Sequence, residues 1–480
     1  MKPLMLAALL AAAPQAPQDA PATPATPATP AASAQPAPQV MPALGTVPIT
    51  LAEVRAQGRK NTQSLLALLD VTRGEQDIRI ARSALLPRLS LSANAGGSYT
   101  GTSRILTPVQ DPDTGQLVQV PGEIPASTTR SYDLSATLTQ VIYDRARWKQ
   151  LEQSGATAEA LRGQAVDQAD AAELEAVNRF YALYRSQATI QVLAATVRRS
   201  EEQLERARAL FQAGRVGRGE ELSALVNLGN DRITLLQRRG QLVQDQSQLA
   251  IWLAQPGTTP LLAQDPGILT LEPEPVPSLD AALAEARDRR PLVRALQAQV
   301  RAAELARDVA FSAYLPRLLA QGSFTRQGSS TRQEFEGTVL TAPRSQTAVA
   351  GGVGLQWDIF DGFATPAQVA RAAASQRTAE LNLAQVEREL DGAVRVSIEA
   401  LAANIDATRL AAENRQAALQ SLALAEERFK AGAGSTLEVR DAQLNLTRAE
   451  LTYLENRVDV EIARYSLMRA MGTLSPGETK

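Results

Sequence analysis

Phe211-Gln212-Ala213-Gly214 and Phe429-Lys430-Ala431-Gly432 decide how this chain is read. Each closes a polar, heptad-like run of roughly 65 residues, far beyond the usual globular helix of about 11 to 12. In the first run Leu161, Ala165, Ala169, Ala172, Ala176, Phe180, Leu183, Ile190, Leu193, Val197 and Leu204 recur by threes, fours and sevens. The stripe is narrow and Ala-rich, which favours close coiled-coil packing over a bulky globular core. Glycine at the end of each run serves a helix stop in the left-handed region.

Working outward from these turns, the chain reads as two copies of one plan. A helix capped by Thr50, with Glu53 at the capping-box position, runs to Leu86-Pro87. The period then changes to two. Leu89, Leu91, Ala93 and Ala95 alternate with polar residues, a Pro-, Gly- and Asp-rich loop covers about Thr107 to Ser127, and Tyr132, Leu134, Ala136 and Leu138 alternate again. Ile142-Tyr143-Asp144 leads into the first long helix, and Glu220 to Trp252 returns. The second copy repeats this order: a helix from Leu279 to Tyr314 capped by Ser278, Leu315-Pro316-Arg317-Leu318, strands through Phe324 and from Val349 to Ile359, then Ile359-Phe360-Asp361. A long helix follows from near Pro366, and Leu437 to Met471 returns. By pattern alone the strand pairs suit a soluble sheet on a core as well as a barrel with lipid outside and water inside.

The expected organisation is therefore a leader at 1–16, a Pro/Ala/Thr-rich disordered segment at 17–48, a first repeat at 49–256, a connector at 257–277, a second repeat at 278–473 and a tail at 474–480. Inside the repeats the strand hairpins fall at 88–142 and 317–360, the long helices at 144–213 and 366–431, and the return helices at 220–253 and 437–471. Lys2 before Leu4-Met5-Leu6-Ala7-Ala8-Leu9-Leu10, with Ala11, Ala12 and Ala13 behind, reads as a short export signal. Each long helix spans about 100 Å at 1.5 Å per residue. The shorter helices match that length when stacked in pairs, which makes a rod with strands at one end and both glycine turns at the other.

Composition narrows function. Lys+Arg 49 against Asp+Glu 51 gives a net charge of -2, so no basic field favours nucleic acid. Cys 0 and His 0 remove thiol and imidazole chemistry, and no cofactor or metal is expected. Paired carboxylates such as Glu220 and Glu221 lie in polar helix without a partner acid, a poor hydrolase site. No apolar run reaches the roughly 18 residues of a spanning helix, so insertion would need strands. With no Cys behind the leader there is also no residue to carry an N-terminal lipid.

The doubled order of helix, Leu-Pro, strand hairpin, long helix, Phe-x-x-Gly turn and return helix resembles the TolC-like outer-membrane efflux proteins over nearly all of the chain after residue 48. The resemblance implies a mainly α fold with a small β portion: a long antiparallel coiled-coil helical barrel, with four strands per chain contributing to a 12-stranded outer-membrane β-barrel in a homotrimer. It implies an exit duct whose partners are a periplasmic adaptor, an inner-membrane pump and outer-membrane lipid. The periplasmic tip would dock the adaptor through Phe211, Gly214, Arg215, Arg218, Phe429 and Gly432, and acids near the turns, Glu438, Asp441 and Glu220, would line the constriction. The plainer alternatives are phenylalanines that pack the turns and acids that complement helix N-termini. Gly434 stands where the family carries a basic residue, so any ionic lock must use other partners. Trp357 suits a membrane-interface aromatic or a helix-junction core position. The rival reading is a periplasmic coiled-coil adaptor or spacer, which usually offers one helical hairpin per chain.

Overall fold

The computed structural model describes residues 46–110, 112, 115–269, 275–335 and 338–474. The leader, nearly all of the Pro/Ala/Thr-rich segment and the tail beyond Leu474 lie outside the described residues. Within the unit Gly45–Lys480 the fold is mainly α with a smaller β portion, built from two repeats.

Strand β1 (Val47–Ile49) leads into α1 (Leu51–Gly58). Thr50 and Glu53 form a complete capping box: Glu53 N donates to Thr50 Oγ1 at 3.2 Å and Thr50 N to Glu53 Oε2 at 2.8 Å. The helix does not run on to Leu86 as the periodicity suggests. It stops at Gly58, and buried Asn61 caps a separate helix, α2 (Thr62–Ser83), by accepting from Ser64 N at 3.0 Å. Asn side chains compete with the helical ladder in this way.

Strands β2 (Arg88–Thr100), β3 (Ser103–Gln110), β4 (Leu117–Ile124) and β5 (Ser127–Tyr143) follow. The Pro-rich stretch read as a loop is thus largely a two-stranded ribbon. Pro108 and Pro121 are tolerated because the ribbon is open on both sides, so a missing N–H costs no ladder bond there. Next come α3 (Arg145–Gln212), α4 (Arg218–Trp252), β6 (Leu261–Ala263), α5 (Leu279–Arg289) and α6 (Pro291–Phe311). The sequence reading carried one helix across Leu279–Tyr314. Pro291 instead starts α6 and holds Arg290 extended at φ -63°, ψ 116°, the restriction proline places on its predecessor. The final elements are β7 (Arg317–Phe335), β8 (Thr338–Gln356), α7 (Ala364–Lys430) and α8 (Thr436–Met471).

One antiparallel sheet runs in the order β2-β5-β7-β8 and joins the two repeats at β5-β7. Its register aligns the apolar residues of all four strands: Leu91 stands opposite Ala136, Ala136 opposite Phe324 and Phe324 opposite Val349. The neighbouring rows Ser90–Thr137–Ser323–Ala350 and Ser92–Ser135–Thr325–Ala348 face the other way. The Ser92 and Ser135 hydroxyls meet at 2.7 Å on that polar face. Among the described residues nothing covers the apolar face; Leu89, Leu91, Val349, Val353 and Leu355 are all exposed. A short parallel pair, β1 with β6, ties the start of the unit to the connector. Strands of three residues carry no readable period, so this pair was not legible.

Helix α3 is the spine, packed by α1, α2, α4, α6 and α8. Small residues let helices approach closely: a Cβ on Gly58 would sit 2.4 Å from Ala176 Cβ, and one on Gly163 2.8 Å from Ala295 Cβ. Midway along α3 the wholly buried Phe180, Tyr181 and Leu183 pack with Val54, Leu249, Leu261 and Val458, each large side chain contributing about 1.5–3 kcal/mol. Toward the glycine turn the α3–α4 seam is carried by Leu193, Val197, Leu204, Ala224, Leu228 and Leu235. Asp231 and Asp245 interrupt that seam two heptads apart, and their carboxylates accept from Ser200 and Ser186 of α3. Polar residues at seam positions fix register at some cost in stability.

Candidate gate and docking tip

The two turns are built identically. Gly214 N donates to Phe211 O at 2.9 Å and Arg215 N to Leu210 O at 2.9 Å, with Gly214 at φ +67°. At the second turn Gly432 N donates to Phe429 O at 3.1 Å and Ala433 N to Arg428 O at 2.9 Å, with Gly432 at φ +74°. This is the Schellman closure of a helix, in which a residue without Cβ takes the left-handed position. No atom lies near the missing Cβ of either glycine, so both turns are open to an approaching partner.

The two phenylalanines differ. Phe429 is half-buried against Leu422, Ala425, Val439, Ala442 and Leu446 and packs its turn. Phe211 is 37% exposed and stands outside the α3–α4 cluster. Arg215 and Arg218 are exposed, and neither forms an ion pair among the described residues.

The acids are distributed over two cavities at this end. Glu220, Asp441 and Phe429 line a cleft of about 580 Å³ between the α3–α4 and α7–α8 pairs, with Arg199, Arg206 and Arg440. Glu438 and Asp441 line a neighbouring one of about 410 Å³. Glu438 is not free: Arg428, in the last turn of α7, donates to it at 2.7 Å, and the Glu438 N–H donates to the capping Ser435 Oγ at 3.2 Å. Glu220 accepts from Thr436 Oγ1 at 2.5 Å, a contact between the starts of α4 and α8. Asp441 is exposed and has no ion pair or hydrogen bond among the described contacts.

Above these acids lies a network that the sequence reading missed. Arg440 of α8 makes a bidentate pair with Asp231 of α4, Nη1 to Oδ2 at 2.8 Å and Nη2 to Oδ1 at 2.9 Å. Ser200 Oγ of α3 donates to the same Asp231 Oδ2 at 2.5 Å and accepts from Arg440 Nη1 at 3.2 Å. Arg440 and Asp231 side chains are 10% and 12% exposed. Desolvated, two-point guanidinium–carboxylate contacts are among the stronger polar interactions, and removing one partner strands the other.

Comparison with family models matches the outer membrane efflux protein family over residues 57–255 and 282–473, one match in each repeat. The chain belongs to that family. Comparison with curated proteins returns no significant match. Among solved structures, the outer-membrane channel OprN is similar at TM-score 0.70 and 18% identity, over 88% of this chain and 90% of that one. The Campylobacter jejuni outer membrane channel CmeC gives 0.67 and 17%, over 90% and 87%. The outer membrane protein VceC of Vibrio cholerae gives 0.67 and 15%, over 88% and 96%. At such identities the likeness speaks for the fold.

A second network of charged side chains lies on α3, away from the glycine turns. About a third of the way along α3, Asp167, Asp170 and Glu173 occupy one helix face. Arg290 reaches Asp167 at 2.9 Å, Arg59 reaches Asp170 at 2.9 Å and Glu173 at 2.7 Å, and Arg55 reaches Glu173 at 2.7 Å. Glu173 is only 2% exposed. The arginines come from the end of α1, the residue after it and the α5–α6 break, the positions where the helices are interrupted. Burial pulls the Arg290 guanidinium below the usual arginine range; at Arg59 burial pulls the same way but is outweighed by hydrogen bonding to Glu173 and Asp170 and by their charges, which together lift it above that range. Among the described residues there is no metal-ligand cluster, and no helix is long and apolar enough to cross a membrane.

Proposed function

We propose that this efflux-family protein is a trimeric exit duct of the outer membrane, receiving substrates from an inner-membrane pump through a periplasmic adaptor. The observation that carries the reading is the four-stranded sheet. One of its faces is apolar through the half that adjoins the helices and carries arginines beyond it, the other is made of polar and small residues, and among the described residues its edges β2 and β8 are unpaired; the sheet stands at the end of helices on the order of 100 Å long. Four strands cannot close a barrel on themselves, while three copies pairing β2 with β8 leave no edge exposed. The periplasmic adaptor reading is disfavoured by the same sheet and by the doubled plan.

A second observation supports assembly. On α4, Leu222, Val226, Gly229, Ile233, Leu236, Gly240 and Val243 follow strict four-three spacing and face solvent in the protomer. This is a coiled-coil seam without a partner among the described residues of its own chain.

At the tip, Arg215, Arg218, Phe211 and the two open glycine turns are the proposed adaptor surface, with Phe429 holding its turn from inside. Glu438 and Asp441 are the proposed constriction, Asp441 being the unpaired charge that three protomers would bring together. The proposed ties that hold α7–α8 against α3–α4 are Arg440 with Asp231 and Ser200, and Thr436 with Glu220. They take the place of the basic residue that Gly434 does not supply.

The test is single-channel recording on the purified full-length protein after membrane fractionation. Cation-selective trimers in the outer-membrane fraction are expected, with E438A and D441A lowering selectivity. A soluble product without conductance would refute the duct.

A further inference from the structure

We infer that the apolar face of the sheet carries a binding site for the phosphorylated headgroup of an outer-leaflet lipid, centred on Arg130 and Arg332. The inference rests on the barrel reading above. Side-chain alternation puts Arg130 and Tyr132 of β5, Arg326, Ser330 and Arg332 of β7, and Ser345 of β8 on the same face as Ala136, Phe324 and Val349. Arg130 stands opposite Ser330, and Arg332 opposite Thr128, which makes the two arginines diagonal neighbours about 7–8 Å apart at the backbone.

Depth follows from the register. The strand ends that feed helices are Arg88, Tyr143, Arg317 and Gln356, so the opposite end of the sheet lies at the leaflet farther from the helices. From Leu318 to Phe324 the face is apolar or Gly; Ser330 and Arg332 come six and eight residues later, about 20–27 Å along the strand. Arg326 lies between and can reach the same boundary by extending along the strand. The Tyr132 ring lies over Gly328, where a Cβ would meet it at 2.3 Å. Beside it is a concavity of about 440 Å³ lined by Arg130, Tyr132, Ser330, Pro343 and Ser345.

The charge is uncompensated. Arg130, Arg326 and Arg332 are exposed, and none forms an ion pair among the described residues. Glu334 is the one carboxylate on this face among the described strand residues, beyond Arg332, and it too is unpaired. Guanidinium groups at the edge of an apolar band are stabilised by anionic headgroups, and a phosphate accepts two-point hydrogen bonds from them. Tyr132 suits the interfacial level, and the Ser330 and Ser345 hydroxyls add donors.

The test is native mass spectrometry of the full-length protein released from membranes, titrated with bisphosphorylated lipid A, its dephosphorylated form and phosphatidylcholine. Retention of the bisphosphorylated lipid is expected, with R130Q/R332Q weakening it about tenfold and R88Q, on the opposite face, leaving it unchanged. Equal retention by R130Q/R332Q, or equal binding of the dephosphorylated lipid, overturns the site. Displacement by millimolar inorganic phosphate alone would assign it to free phosphate and overturn the lipid proposal. If the variant reaches the outer membrane as an intact trimer and still holds lipid, only this inference fails; if the wild type never fractionates there, the duct fails with it.

Discussion

A left-handed residue closes each of the four helices α3, α4, α7 and α8: Gly214, Ala254, Gly432 and Gly472. Gly214 and Gly432 announced their left-handed turns because glycine is the residue such turns select, and Gly472 closes α8 the same way. Ala254 does the identical job at the end of α4: Gln255 N donates to Ala250 O at 2.8 Å while Ala254 sits at φ 57°. Nothing in the sequence marks it. A left-handed alanine costs about 1–2 kcal/mol, partly offset by the extra freedom glycine has when unfolded. Ala254→Gly is therefore expected to stabilise by about 0.5–1 kcal/mol, and Gly432→Val to destabilise by about 1–2 kcal/mol, both read as shifts in thermal unfolding. Tyr184 supplies a pH signature. Burial first, and then its hydrogen bond to Asp265 at 3.0 Å, push its hydroxyl up to about 12. The folded state thus favours the neutral phenol, so its contribution is complete below pH 10 and is lost as pH rises from about 10 toward 12. Denaturant titrations across that window should show a shallower loss for Tyr184→Phe; an unchanged slope would assign the alkaline limb to other groups.

At the scale of elements, periodicity delivered the long helices and the β2, β5, β7 and β8 strands. It failed wherever a local competitor cut a run short. Asn61 and Pro291 interrupt helices that their apolar spacing would continue, and half-buried Arg59 and buried Arg290 sit beside those cuts, where an interrupted helix lets a long side chain reach the acids of α3. The Arg440–Asp231–Ser200 network was invisible for a different reason. Its members belong to three helices, and on each helix alone they look like one more polar residue. Arg440→Met should cost about 3 kcal/mol because it leaves Asp231 desolvated and unpaired, and Arg440→Met with Asp231→Leu should cost less than the single change. Chemical denaturation gives the coupling. If the network ties the helix pairs of a gate, the single variant should also raise open-channel probability in the recordings that test the duct. A stability loss with no change in gating would leave it a purely structural contact.

At the scale of the whole molecule, the protomer presents surfaces that only make sense with company, and the α4 seam is the cleanest place to ask for it. Ile233 and Leu236 are 54% and 62% exposed, and they lie off the face of α4 that Leu228 and Leu235 turn to α3. A charge placed there therefore leaves the protomer's own packing intact while burying an unpaired ion in any interface that covers the seam, a penalty of several kcal/mol per site. Three equivalent interfaces would each carry it. Ile233→Glu combined with Leu236→Lys risks a compensating pair, so the informative change is the like-charged Ile233→Glu with Leu236→Glu. If the wild type is the proposed trimer, native mass spectrometry of the detergent-extracted protein should then show monomers in its place, with helical circular dichroism unchanged. Trimers that survive this substitution would mean that the seam faces solvent and not a neighbour. The sheet edges would then have to hold the assembly by themselves.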